Sequence, residues 1–325
     1  MKKHLWPVLA LAFVALILPV SAEEQISGSW NAERDDDRIQ LSLKLGQRNN
    51  FGFRIDAAEL QPVNGGFELR REAGTFQLQG AFAAEHGGGT FVFMPNASFH
   101  SEMKRRGHDL DTKEMASAAG FDMTLAFVDE IDSLGYGESF GRLIEFRVHG
   151  VTPAFIREMQ GLGYAEISSR RLVEFRIHGV TPDFVRGMQA AGYDEISENR
   201  LVEFRIHGVS PDFVQGMRDA GVENLSANRL VEFRIHGVSP DFITGLQNAG
   251  FKDLTANRLV EFRIHGVSPS YIEGLAEAGY SSLTAQELVE FRIHGVTVAF
   301  IEKLANQGDS GLTARELIGR RIHGR

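Results

Sequence analysis

LVEFRIHGV occupies residues 259–267, and it recurs at 230–238, 201–209 and 172–180, with further copies beginning at 143, 288 and 317. The His-Gly pairs start at His149, His178, His207, His236, His265, His294 and His323, a constant period of 29 residues. A catalytic centre needs its residues once, whereas an array of small folding units needs its joints many times over. The repetition therefore predicts architecture before chemistry.

One period is legible from Thr255. Thr255 is an expected N-cap, residues 256–265 a ten-residue helix, and Gly266 the left-handed residue that ends it. Ser268 is a second N-cap with Pro269 at N1, opening a helix that runs to Ala278 and stops at Gly279. Glu287 and Glu316, three residues after Thr284 and Thr313, complete capping boxes. Helices of ten residues are marginal alone, so each hairpin must lean on its neighbours. The spacing predicts an α-solenoid of 29-residue hairpins over 142–325, ending in a half-repeat. Weaker echoes at Phe99/Met103/Gly107 and Phe127/Leu134/Gly135 mark 97–141 as degenerate capping repeats.

At about 100° per residue, Leu259, Val260, Phe262 and Ile264 fall on one broad face, with Asn257, Arg258, Glu261 and His265 opposite. Arg263 points between Leu259 and Val260 and is expected to be partly buried against the next unit, with carbonyl or carboxylate acceptors. Its equivalents Arg147, Arg176, Arg205, Arg234, Arg292 and Arg321 extend it into a structural arginine ladder. On the polar face, Glu174/His178, Glu203/His207, Glu232/His236 and Glu261/His265 form a candidate interaction stripe. Each histidine sits in a last helical turn, where positive charge is favoured and a glutamate at i−4 assists. Equivalent histidines on stacked helices stand about 8–10 Å apart, too far to share one zinc ion, so no metal site is expected. Gly187/Ala191, Gly216/Ala220, Gly245/Ala249 and Gly274/Ala278 place small residues four apart in the second helix, the signature of a close helix approach.

Residues 23–96 have another texture. RIQLSLKL (38–45), FGFRIDAA (51–58), FELRRE (67–72), TFQLQGAFA (75–83) and TFVFM (90–94) alternate apolar with polar, separated by breakers such as VNGG and HGGG. They predict an antiparallel meander of about six strands, a small sheet or partial barrel in its own domain. The fold class is thus α+β in separate domains.

Ahead of both, Lys2 and Lys3, the apolar run Leu5–Leu18 and Val20-Ser21-Ala22 read as a signal peptide over 1–22. A periplasmic or secreted protein is expected, with no integral membrane segment after cleavage. Loss of Lys2 and Lys3 takes the formal charge from −9 to −11, which opposes nucleic-acid binding. With no cysteine in the chain, neither a lipid-anchoring thiol nor a disulfide framework is expected.

Gly137-Glu138-Ser139-Phe140-Gly141 satisfies G-x-S-x-G, and His86-Gly87-Gly88-Gly89 resembles an esterase oxyanion string. Ser139 falls in an interhelical turn and the glycines between two expected strands, so a hydrolase at Ser139 ranks third among readings. No catalytic residue, cofactor or metal ligand is assigned.

Units of the type LVEFRIHGVTPDFV followed by M-x-x-x-G-Y, over about 140–325, resemble helical repeats of exported bacterial proteins. They also resemble the extracytoplasmic C-terminal regions of some membrane zinc peptidases of the β-lactam-sensor type, although the peptidase part is absent. The resemblance implies an extracytoplasmic sensing or interaction module and carries over no site residue. The leading expectation is a non-enzymatic scaffold whose extended surface holds a protein or peptide. The alternative is a small-ligand carrier or sensor built on the β domain, with the solenoid as spacer.

Overall fold

The computed structural model describes residues 25–45 and 49–324; the expected signal peptide lies outside them. The chain divides into two compact units, through Pro153 and from Ala154 onward.

The first unit opens with seven strands among the described residues: β1 (Ile26–Asp35), β2 (Arg38–Leu45), β3 (Asn49–Asp56), β4 (Leu60–Val63), β5 (Gly66–Arg71), β6 (Gly74–Ala83) and β7 (His86–Pro95). They form one antiparallel half-barrel in the order β3-β2-β1-β7-β6-β5-β4. The pairing of β1 with β7 joins the two halves of the sheet, and β3 and β4 are its free edges. Alternation puts Ile39, Leu41, Leu43, Phe53, Ile55, Phe76, Phe91 and Phe93 inside, each at most 5% exposed. Phe76 packs 4.7 Å from Phe93 and 6.0 Å from Phe53, ring centre to ring centre. Trp30 is buried, donates its indole N–H to the Gln79 carbonyl at 3.0 Å, and meets the rings of Phe67 and Phe82.

HGGG is not a breaker. His86–Gly89 begin β7 itself, with Gly89 opposite both Trp30 and Gly80. A Cβ on Gly89 would fall onto the Gln79 carbonyl, so glycine here permits close strand approach in a curled sheet.

Four helices complete this unit: α1 (Ala97–Arg105), α2 (Thr112–Gly120), α3 (Leu125–Ser133) and α4 (Phe140–His149). Each starts on a side-chain cap, Asn96, Asp111, Thr124 and Ser139 respectively. α2, carrying buried Met115, Ala116, Ala118 and Ala119, packs on the sheet.

The second unit repeats one hairpin. It comprises α5 (Pro153–Gly161), α6 (Ser169–His178), α7 (Pro182–Ala190), α8 (Glu198–His207), α9 (Pro211–Asp219), α10 (Ala227–His236), α11 (Pro240–Asn248), α12 (Ala256–His265), α13 (Pro269–Glu277), α14 (Ala285–His294), α15 (Val298–Asn306) and α16 (Ala314–His323). The caps read from Thr255 onward stand as expected, for Thr255 Oγ1 accepts from the Arg258 N–H and Gly266 has φ +72°. Val267 N–H then reaches back to the Phe262 carbonyl at 2.7 Å, which makes the helix end a Schellman motif.

First helices stack on first helices, α6 on α8 through α14 on α16, and second helices on second helices, α7 on α9 through α13 on α15. Leu259, Val260 and Phe262 and their equivalents fill the space between layers. Tyr164, Tyr193 and Tyr280 donate their hydroxyls to carbonyls 32 residues on, at 2.6–2.9 Å. The small residues of the second helix are close-approach positions: a Cβ on Gly187, Gly216 or Gly245 would lie 2.7–2.8 Å from the Cγ of Pro211, Pro240 or Pro269. At these three joints the proline that starts the second helix thus docks on the glycine of the hairpin before it, and at Gly274 Val298 takes the proline's place.

Two glycines separate these constraints. Gly266→Ala forces an L side chain into the left-handed region and sets a Cβ 2.7 Å from Arg292 Nη2, so a loss of about 2 kcal/mol is expected. Gly141→Ala, inside α4 with no atom within 4 Å of the new Cβ, should instead gain about 0.5–1 kcal/mol. Urea midpoints of the two variants, moving in opposite directions, are the check.

Candidate functional site

The repeated arginines form staples between hairpins. The guanidinium carbons of Arg176, Arg205, Arg234, Arg263, Arg292 and Arg321 lie over the rings of Phe155, Phe184, Phe213, Phe242, Tyr271 and Phe300, at 4.4–5.1 Å from the ring centres. Each ring belongs to the hairpin before the arginine, so the direction is opposite to that expected from the sequence. The Nε–H groups of Arg205, Arg234 and Arg292 donate to the carbonyls of His178, His207 and His265 at 3.1–3.3 Å, and Arg263 donates to the Gly237 carbonyl at 2.5 Å. Those carbonyls are the orphan acceptors at a preceding helix C-terminus, where positive charge is favoured. A Cβ on Gly208 would lie 2.6 Å from Arg234 Nη2, so the glycine that ends one helix also leaves room for the next arginine. In the first unit Arg147 stacks over Phe127 and donates to the Phe121 carbonyl and the Asp122 carboxylate, following the same pattern with a different acceptor. Arg147 is partly buried, as expected of the ladder, whereas Arg176, Arg205, Arg234, Arg263, Arg292 and Arg321 are exposed on their outer side.

The Glu/His stripe has a different internal chemistry from the one read in the sequence. Glu174, Glu203, Glu232 and Glu261 accept from Arg171, Arg200, Arg229 and Arg258, three residues before them. The same arginines cross to the following hairpin, where they meet Asn199, Asn228, Asn257 and Gln286. The glutamates are thereby tied into an inter-repeat polar network, and their bonds go to arginine instead of to His178, His207, His236 and His265. Those histidines sit in the last turns with their main-chain carbonyls near or in the staples.

A further row was not read from the sequence. Ile177, Ile206, Ile235, Ile264, Ile293 and Ile322 are 55–59% exposed. The expectation that Ile264 faces the core is corrected: it lies about 40° beyond Val260 around the helix, outside the packed arc. Because the first helices stack in one layer, the six side chains recur about every 8–10 Å along it, each between an arginine staple and a histidine. Fully covering an isoleucine contributes about 1.5–3 kcal/mol, so covering this row would contribute on the order of 5–10 kcal/mol before the costs of association.

The serine motif leads elsewhere. A cavity of about 380 Å³ in the first unit is lined by Arg106, His108, Asp129, Asp132, Tyr136 and Ser139, among others. Arg106 grips Asp129 through Nε at 2.6 Å and Nη2 at 2.9 Å, and takes Glu102 through Nη1. Burial pushes the His108 imidazole below its ordinary range, against the opposing charge of Asp132. Ser139 Oγ caps α4 by accepting from the Arg142 N–H, and no hydrogen bond joins it to His108 among the described residues. Nucleophile activation needs that bond, and HGGG lies in β7, so the arrangement gives the hydrolase reading no support. Among the described residues no group of three or more His, Asp or Glu could hold a metal ion, and no helix is long and apolar enough to cross a membrane.

No protein-family model matches the chain, and no curated protein matches it. The staple geometry makes its own prediction. Arg234→Ala removes a cation–π contact and a charge-assisted bond at a partly exposed site, and a loss of about 1–2 kcal/mol is expected by urea denaturation. An unchanged midpoint would mean that the ladder does not hold the hairpins together.

Proposed function

We propose that this protein is an exported, non-catalytic binding scaffold, and that the first-helix layer of its repeat array holds a protein or peptide. The observation that carries this reading is the row of six exposed isoleucines at one position of successive repeats. Isolated apolar side chains on a surface need no explanation, whereas an aligned row does. Array proteins suit such work because short units give a long, regular surface. The Glu/His stripe on the same helices supplies polar rim chemistry, with its glutamates already held in place by arginine. The small-ligand reading of the β domain has less behind it, because the space around Trp30 is occupied by Phe67 and Phe82 and the indole N–H is already bonded.

The test is a comparison of the full chain with the triple variant Ile206→Ser, Ile235→Ser, Ile264→Ser. The three side chains are more than half exposed, so the variant should keep the parent's fold by circular dichroism, with a loss of about 2–4 kcal/mol from their covered parts. A partner captured by the parent from the host envelope and reconstituted with purified components should bind the variant at least tenfold more weakly. Equal binding by both would remove the row from the account.

A further inference from the structure

The two free edges of the half-barrel differ in a way that bears on binding. β4 is short and carries Pro62, which cannot donate to a neighbouring strand; such an edge is blunted. β3 is twice as long, reads NNFGFRID, and has neither proline nor lysine. Its register is with β2; beyond that ladder the Asp56 N–H donates to Glu59 Oε1 at 3.0 Å and the Phe53 carbonyl accepts from Gln40 Nε2 at 3.3 Å, which leaves the edge open over Gly52–Arg54. Natural sheets blunt such edges with charge, proline, bulges or a covering element, and on β3 charge is supplied by Arg54 and Asp56.

What lies along the edge is a cleft. It has a volume of about 510 Å³ and is lined by Gly52–Asp56 on one side and by Gly120, Asp122 and Arg147 on the other. Five strand residues span about 16 Å, room for about five residues of an added strand. Four arginines line the cleft, Arg38, Arg54, Arg71 and Arg147, against the three carboxylates of Asp56, Glu59 and Asp122. Asp122, held at φ +54°, bridges Arg71 at 2.6 Å and Arg147 at 2.9 Å. Glu59 takes the other arm of Arg71, and Asp56 takes Arg38 at 3.1 Å. Arg54 is left with no carboxylate partner among the described residues. It is exposed, and it stands in register with Gln40.

We infer that the free edge of β3 is a docking site for an extended acidic segment of a partner polypeptide, which adds to the sheet beside β3 and sets a carboxylate opposite Arg54. Main-chain bonds supply the attachment, and the cross-strand charge pair supplies selectivity. A segment that sets a lysine opposite Arg54 would bring like charges together, while Asp56 two residues on keeps its pairing with Arg38. The site lies in the first unit and stands independently of the isoleucine row.

The test uses the full chain and fluorescence anisotropy with three labelled decapeptides: one alternating aspartate with valine, its lysine counterpart, and the aspartate peptide N-methylated at alternate amides. The aspartate peptide should bind saturably, and at least tenfold more weakly to Arg54→Glu, an exposed substitution whose fold is checked by circular dichroism. The lysine peptide should bind Arg54→Glu and not the parent, and the N-methylated peptide should bind neither. Absence of saturable binding, equal binding of the N-methylated peptide, or indifference to Arg54→Glu would each overturn the inference. So would sedimentation equilibrium showing that β3 pairs with a second copy, as a dimer that Arg54→Glu dissociates.

Discussion

Above the buried layer of the helical array one contact recurs at joint after joint, the arginine of a hairpin laid across the end of the hairpin before it. The contact joins three features of the repeated string. The arginine stacks on an aromatic ring 21 residues earlier, as Arg234 does on Phe213. It donates to a helix-terminal carbonyl that the helix cannot satisfy internally, as Arg234 does to His207. It occupies space that only a residue without a Cβ leaves open, as at Gly208. The string therefore repeats as a unit because its arginine and its glycine belong to the same joint, read from opposite sides.

That joint shapes what the surface can offer. Phe262 and its equivalents are fully buried, so the helices gain their cohesion from the inner layer. The last turn then carries arginine to the preceding hairpin, isoleucine outward and the left-handed glycine beyond. At that position six successive repeats carry an isoleucine that is more than half exposed.

Much of this was legible in the sequence for local reasons. Thr255, Gly266, Ser268 and Pro269 mark helix ends through chemistry that needs no tertiary information, and the apolar alternation of 38–45 and 75–83 places strands directly. What stayed hidden depended on neighbours. Gly87-Gly88-Gly89 reads as a turn until strands are seen to approach it on both sides. Glu261 has both Arg258 and His265 within a turn, and the following hairpin's Gln286 draws Arg258 into the network. Ile264 shares a broad half of the helical wheel with Val260, and only the packed arc shows where the core stops. The cavity beside Ser139 gathers His108 and Asp132 from separate helical segments, with no spacing signal to announce it.

The coupling across one joint is the most direct test. A double-mutant cycle on Phe213→Leu and Arg234→Lys, followed by urea denaturation, isolates the interaction between the stacked ring and its guanidinium from the separate effects of each change. A coupling of about 0.5–1 kcal/mol is the expected result for a stacked pair at a partly exposed site. Strict additivity of the two single variants would contradict it, and would mean that the repeated arginines lie beside the joints without holding them.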